Sequence, residues 1–162
     1  MAEPMQDINA LEYTNHLEVT IPGDPKALPR HRHTKTGHTY ELAWSKKYKA
    51  DILSQVAPHA TNIPWTGPLL VRLTFALQRP KSRTVKDPKR STPERWARHL
   101  HPTSRPDLDN YVKMVLDALP GVFADDSQVV DIQAKKVYTS GKGYTNIDIY
   151  ELRCSPESVN EH

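Results

Sequence analysis

Hydrophobic and polar positions alternate in four stretches of the chain, and in two others apolar residues return every three or four positions. The first alternation is His16–Pro22. Leu17, Val19 and Ile21 point one way and Glu18 and Thr20 the other, which predicts a half-buried strand closed by the turn Pro22-Gly-Asp-Pro25. The clearest is Leu69–Gln78, with Leu69, Val71, Leu73, Phe75 and Leu77 on one side. Its second side (Leu70, Arg72, Thr74, Ala76) is also partly apolar, as expected of a central strand. From Val130 to about Tyr138, Val130, Ile132 and Ala134 alternate with Asp131, Gln133 and Lys135. A last strand runs from Tyr144 to Arg153, with Ile147 and Ile149 inward and Tyr144 and Tyr150 opposite. Ser140-Gly-Lys-Gly143 between these two reads as a hairpin turn.

The helical pattern appears first from Tyr40 to about Ala57, where Trp44, Tyr48, Ile52 and Val56 recur every four residues with Leu53 beside them, until Pro58 stops the helix. At this spacing Trp44 and Tyr48 read as core aromatics rather than base-stacking ones. A second, shorter helix has Leu108, Val112, Val115, Leu116 and Leu119 on its buried face and ends at Pro120-Gly121. Asp109, Lys113 and Asp117, each four residues apart, share the opposite side.

Composition narrows the picture. The chain has 162 residues, enough for one domain with a core; only 37% are hydrophobic and 14 are proline, so a lean core carrying long loops is expected. Residues 1–15 and 155–162 lack periodicity and read as a flexible and a polar tail around a domain at 16–154. No apolar run approaches a membrane span, and the N-terminal residues lack the blocks of a signal peptide. Cys154 is the one cysteine; it permits no internal disulfide and fits a cytoplasmic location.

The net charge is +3, but its distribution matters more. Lys26–His38 carries Arg30, Arg32 and Lys35 with His31, His33 and His38. It reads as a phosphate-contacting loop, with a solvated surface loop or a histidine metal site as alternatives. Arg79–Ser104 carries eight Lys and Arg, Lys81 and Arg83 among them, against Asp87 and Glu94. Each such cation that displaces a counterion from a phosphate strengthens salt-sensitive binding. This second loop leads directly into Arg105-Pro-Asp-Leu-Asp-Asn-Tyr-Val-Lys113, which Asp125-Asp126 answers further on.

Carboxylates converging from separate segments repel one another, and a divalent cation is the usual reason to gather them. Asp107 and Asp109 would diverge if both were helical. They align if the chain is still extended at Asp107 and the helix starts at about Asp109. The candidate ligands are Asp107, Asp109 and Asp126, with Asp125 as helper or alternative, all expected within reach of one cation. Lys113, one helical turn from Asp109, would either pair with the carboxylates before a metal binds or sit against the scissile phosphate of a phosphodiester. Asp117 is either a partner of Lys113 or a solvent-facing charge. An isolated Asp-x-Asp is often only a helix cap, which would leave a DNA-binding module without catalysis.

The string RPDLDNYVKMVLDALPGVFADDSQVVDIQAKK, residues 105–136, resembles the signature of the RusA family of Holliday-junction resolvases, through its D-x-D-N-x-x-K, D-A-L and D-D-x-Q-V segments. The resemblance implies an α+β fold: a single small domain with a mixed or antiparallel sheet packed with two main helices. It implies a homodimer that binds four-way DNA junctions and, with Mg2+ (Mn2+ as a possible substitute), makes paired nicks. The family's essential acids fall on Asp107, Asp109 and Asp126 and its lysine on Lys113. Arg30, Arg32, Lys35, Lys81, Arg83 and Arg105 are the expected DNA contacts. The basic insert at 81–104 is longer than in the shortest family members and resembles phage and prophage versions, which leaves open a wider range of branched or flapped substrates.

Overall fold

The computed structural model describes residues 12–29, 32–33, 39–79 and 101–153. Among the described residues there are six strands, β1 (Tyr13–Pro22), β2 (Arg32–His33), β3 (Thr39–Tyr40), β4 (Leu69–Gln78), β5 (Val129–Thr139) and β6 (Tyr144–Leu152), and two α-helices, α1 (Ala43–Val56) between β3 and β4 and α2 (Leu108–Ala118) between β4 and β5. Four strands make one mixed sheet in the order β1-β6-β4-β5, and β2 pairs β3 separately. The fold is α+β. β4 is central, as its two apolar faces predict: it runs antiparallel to β6 and parallel to β5.

One register explains the core. Leu17, Ile149 and Val71 stand across from one another, as do Val19, Ile147 and Leu73. All six are buried and form one cluster with Ile52 and Val56 of α1 and Tyr111, Met114, Val115 and Ala118 of α2. The Phe75 and Tyr111 rings, 5.2 Å apart, join sheet to helix. Among the described residues nothing covers the other, polar face of the sheet: Glu18, Thr20, Arg72, Thr74, Gln133, Lys135, Asn146 and Asp148 line its depressions.

Four expectations need correction. The residues at 140–143 do not form a hairpin, because β5 and β6 flank β4 instead of pairing with each other. The turn passes over the end of β4, where a Cβ on Gly143 would lie 2.8 Å from the Cα of Asp24 and 2.9 Å from the carbonyl oxygen of Ala76, room only for glycine. Secondly, Trp44 is not core: it is 41% exposed, while Ser45 takes the buried position beside it. Thirdly, the buried face of α2 is turned toward Tyr111 and Met114, so Val112 and Leu116 are only half-buried. Finally, β1 begins at Tyr13, inside the expected tail. On β5, Val130 and Ile132 are 62% and 45% exposed.

The far end of the sheet is tied by Glu151, which is buried. Its carboxylate accepts hydrogen bonds from Thr14 Oγ1 (2.9 Å), Asn15 Nδ2 (2.5 Å) and the amides of Thr66 (3.0 Å) and Gly67 (2.7 Å). Burial pushes the Glu151 carboxyl up, but the donors from Asn15, Gly67, Thr14 and Thr66 together outweigh it, so the group lies below its ordinary value. A depressed carboxyl contributes stability that is present above its unfolded pKa and is lost as pH falls through its folded one. Glu151→Gln is therefore expected to cost about 1–3 kcal/mol near neutral pH and to flatten the acid limb of the stability curve, measured by urea denaturation from neutral pH downward. An unchanged acid limb would show that Glu151 is not the group responsible.

Candidate active site

The sequence at the start of α2 keeps two carboxylates away from ordinary structural duties. Asp107 is the N-cap residue, with extended backbone (φ −73°, ψ 149°), and Asp109 stands in the first turn. The chain is thus extended at Asp107 and helical at Asp109, which allows the pair to avoid the divergence of two helical positions. Asp107 makes no side-chain capping hydrogen bond. Neither carboxylate is paired with any described residue. Negative charge at this helix end is favoured by the backbone dipole.

Two contacts hold this segment in place. Lys136 of β5 donates its ammonium to the carbonyls of Ser104 and Pro106, both at 2.9 Å. The Leu28 amide donates to the carbonyl of Asn110 at 2.9 Å, which docks the stem of the first basic loop beside the helix start. The sequence reading did not single out Lys136; its structural duty depends on which loop passes over β5, and nothing local signals that.

A groove of about 380 Å³ runs along three turns of α2. Leu108, Val112 and Leu116 form an apolar row, and Asp109, Lys113 and Asp117 a polar row beside it, each at four-residue spacing. Asp126 and Ala134 supply the facing wall. This explains the turned helix: one edge of its wide apolar stripe enters the core and the other lines the groove. Lys113 is unpaired among the described residues. Asp117 is neither a partner of Lys113 nor simply solvated, since Lys49 of α1 approaches it at 3.6 Å while also binding Glu41 at 2.8 Å.

Asp126 arrives on a constrained turn. After α2, Gly121 adopts φ +96°, a conformation that favours glycine. The chain then pairs with Trp65 (Trp65 amide to Val122 carbonyl 2.8 Å, Ala124 amide to Trp65 carbonyl 3.1 Å). Asp125 next caps the 3-10 turn Asp126–Gln128. Its Oδ1 accepts from the Ser127 amide at 2.7 Å, and hydrogen bonding to Ser127 holds this carboxyl below its usual range. Gln128 completes a capping box: Oε1 accepts from the Asp125 amide (2.7 Å), and Nε2 donates to the carbonyls of Trp65 (3.0 Å) and Gly67 (2.9 Å). Asp125 is thus a structural cap, and Asp126 the carboxylate that faces the groove. The Asp-x-x-Gln spacing is the sequence signal that could have identified Gln128.

The structure brings Asp109, Lys113 and Asp126 to one groove; Asp107 stands outside its lining. Among the described residues no three His, Cys, Asp or Glu side chains converge as a ready metal cage. Exposed carboxylates repel one another and separate. The donor set nevertheless suits a hard divalent cation: Mg2+ retains several waters and commonly takes only one or two protein carboxylates, with substrate phosphate completing its shell. Arg105 is exposed in the segment that Lys136 holds. Arg30, Lys35, Lys81 and Arg83, and the side chain of Arg32, lie outside the described residues, as does Cys154.

Sheet, helices and groove belong with DNA-cleaving hydrolases: a family model described as "Endodeoxyribonuclease RusA" matches residues 22–150. The chain is a member of the RusA family, whose resolvases act with a divalent metal ion. It is also 35% identical over 127 residues to the uncharacterised protein YqaN of Bacillus subtilis (strain 168), across 76% of this chain and 88% of that protein.

Gln128→Ala should lower stability by about 1–3 kcal/mol and DNA cleavage by roughly 10-fold or more. Asp125→Asn keeps an acceptor for the Ser127 amide and should preserve both. Urea denaturation and cleavage of a labelled branched substrate read the two effects; wild-type cleavage by the Gln128 variant would remove it as a positioning residue.

Proposed function

We propose that the protein is a Mg2+-dependent, structure-specific endodeoxyribonuclease that resolves four-way DNA junctions by paired phosphodiester hydrolysis, in recombination and repair. The observation that carries this reading is the groove in which Asp109, Lys113 and Asp126 face one space without partners among the described residues. All three are exposed, so water and a ligand can reach them, and carboxylates beside an ammonium in one groove suit a phosphate and its counter-cation. Asp109 and Asp126 would hold the cation, Asp107 being the third candidate ligand; Mn2+ would serve in place of Mg2+. Held there, such a cation would supply an activated water and offset charge on the phosphate. Lys113 sits against the scissile phosphate and stabilises the charge that develops there. The apolar row Leu108–Val112–Leu116 excludes water from one side of the reacting group.

Paired cuts need two such centres, so the working unit would be a homodimer in the cytoplasm. Arg30, Arg32, Lys35, Lys81, Arg83 and Arg105 would contact the DNA backbone, giving affinity that falls as salt rises. The absence of a capping bond at Asp107 argues against a binding module whose acids merely finish a helix.

The central test is Asp109→Asn. Cleavage of a four-way junction should fall by at least about 100-fold, while junction binding measured by gel shift is retained, because the variant loses a ligand to the cation and keeps the basic DNA contacts. EDTA should abolish wild-type cleavage and Mg2+ or Mn2+ restore it. Equal rates on junction, flap, linear duplex and RNA hybrid would replace junction resolution with a broader nuclease activity, and wild-type cleavage by the variant would sink the site assignment.

A further inference from the structure

The exposed aromatic group at the start of α1 plays no part in the core or the groove. Trp44 is 41% exposed and Tyr40, four residues earlier, is 47% exposed. The Lys26 ammonium lies 5.8 Å from the centroid of the Trp44 ring and 5.4 Å from that of Tyr48, within range of both π faces. The Lys26 amide donates to the Tyr48 hydroxyl at 3.4 Å. Lys47, exposed and three residues from Trp44, shares this face of the helix. The first turn of α1 contains no acidic residue, and Glu41, just before the helix, is neutralised by Lys49 at 2.8 Å.

The position of this group matters as much as its composition. Lys26 lies two residues before Leu28, whose amide binds the carbonyl of Asn110, the neighbour of Asp109. One short segment therefore connects the aromatic group to the start of the catalytic helix. An indole with open surface suits a nucleobase, whose π face stacks on it whatever its identity. An adjacent ammonium suits the phosphate of the same nucleotide. A base within a duplex is already stacked on both sides and gains little there. A base freed at a branch point has an open face.

We propose that Trp44, with Lys26 and Lys47, is a stacking site for an unpaired nucleotide of the DNA substrate. The site rests on the endonuclease reading and gives it a reason to distinguish branched from linear DNA.

The experiment uses the full chain in EDTA, a four-way junction carrying 2-aminopurine at the branch point, and a linear duplex carrying it internally. Wild type and Trp44→Phe should quench or shift the junction fluorescence on binding. Trp44→Ala should lose that signal and bind the junction roughly 10- to 100-fold more weakly, with duplex affinity unchanged. Lys26→Ala should weaken junction binding in a salt-dependent manner. Equal loss on junction and duplex, an unchanged junction signal in Trp44→Ala, or a change in its melting temperature or molecular mass that accounts for the lost binding would each overturn the proposal, the last by assigning the ring to packing. If Trp44→Ala binds as wild type while Asp109→Asn fails to cleave, the stacking site falls and the endonuclease reading stands. If wild type binds no branched DNA, the endonuclease reading falls and takes the site with it.

Discussion

Parallel strands cannot be joined by a tight turn, and β4 and β5 are parallel. The chain must leave the sheet after Gln78 and return at Val129 in the same direction, so α2 lies within a crossover. Asp107, Asp109, Lys113 and Asp126 all belong to that one connection. A crossover attached at both ends to a packed sheet gives the acids positions that a free loop could not hold. Loops carry chemistry most effectively when a rigid scaffold sets their ends.

The attachments are polar and come from outside the candidate site residues. Lys136 fixes the approach to α2 through two backbone carbonyls, Leu28 fixes its first turn through Asn110, and Gln128 joins the return path to residues 65–67. None of the three lines the groove. The division is physically sensible: the acids of the groove stay unpaired among the described residues, and neighbouring side chains satisfy the backbone. Asp125 and Asp126 illustrate the split within one dipeptide, where the first carboxylate completes a turn and the second is left open.

Much of this was legible in the residues, and the failures have distinct causes. Strands β1, β4 and β6 and the onset of α2 follow directly from period and from the extended backbone at Asp107. Pairing order did not follow, because alternation says which face a residue takes and not which strand lies beside it; Gly143 looked like a hairpin glycine and is in fact fitted against Asp24 and Ala76. Trp44 shows the limit of periodicity, since a four-residue recurrence gives the axis of a stripe without its edges, and Ser45 took the buried place. For α2 the stripe was wide enough to serve both core and groove, a fact visible only once β5 supplied the opposite wall. The family signature marked the acids; the duties of Gln128 and Lys136 came from contacts 61 to 63 and 30 to 32 residues away in the chain.

The pairing of β1 with β6 has a consequence for how the molecule is made. Among the described residues β6 is the only strand that β1 bonds to, and Tyr13 and Leu152 stand opposite each other at its end. A chain emerging from the ribosome releases β1 first and cannot give it a partner until β6 has been synthesised. Until then the apolar side of β1 (Leu17, Val19, Ile21) has no sheet to join, and the edge of β6 that will bind it does not yet exist. The sheet beneath the acids closes only after translation has passed Leu152, so a product terminated between Lys136 and Tyr144 carries the whole 105–136 signature on a scaffold that cannot be completed.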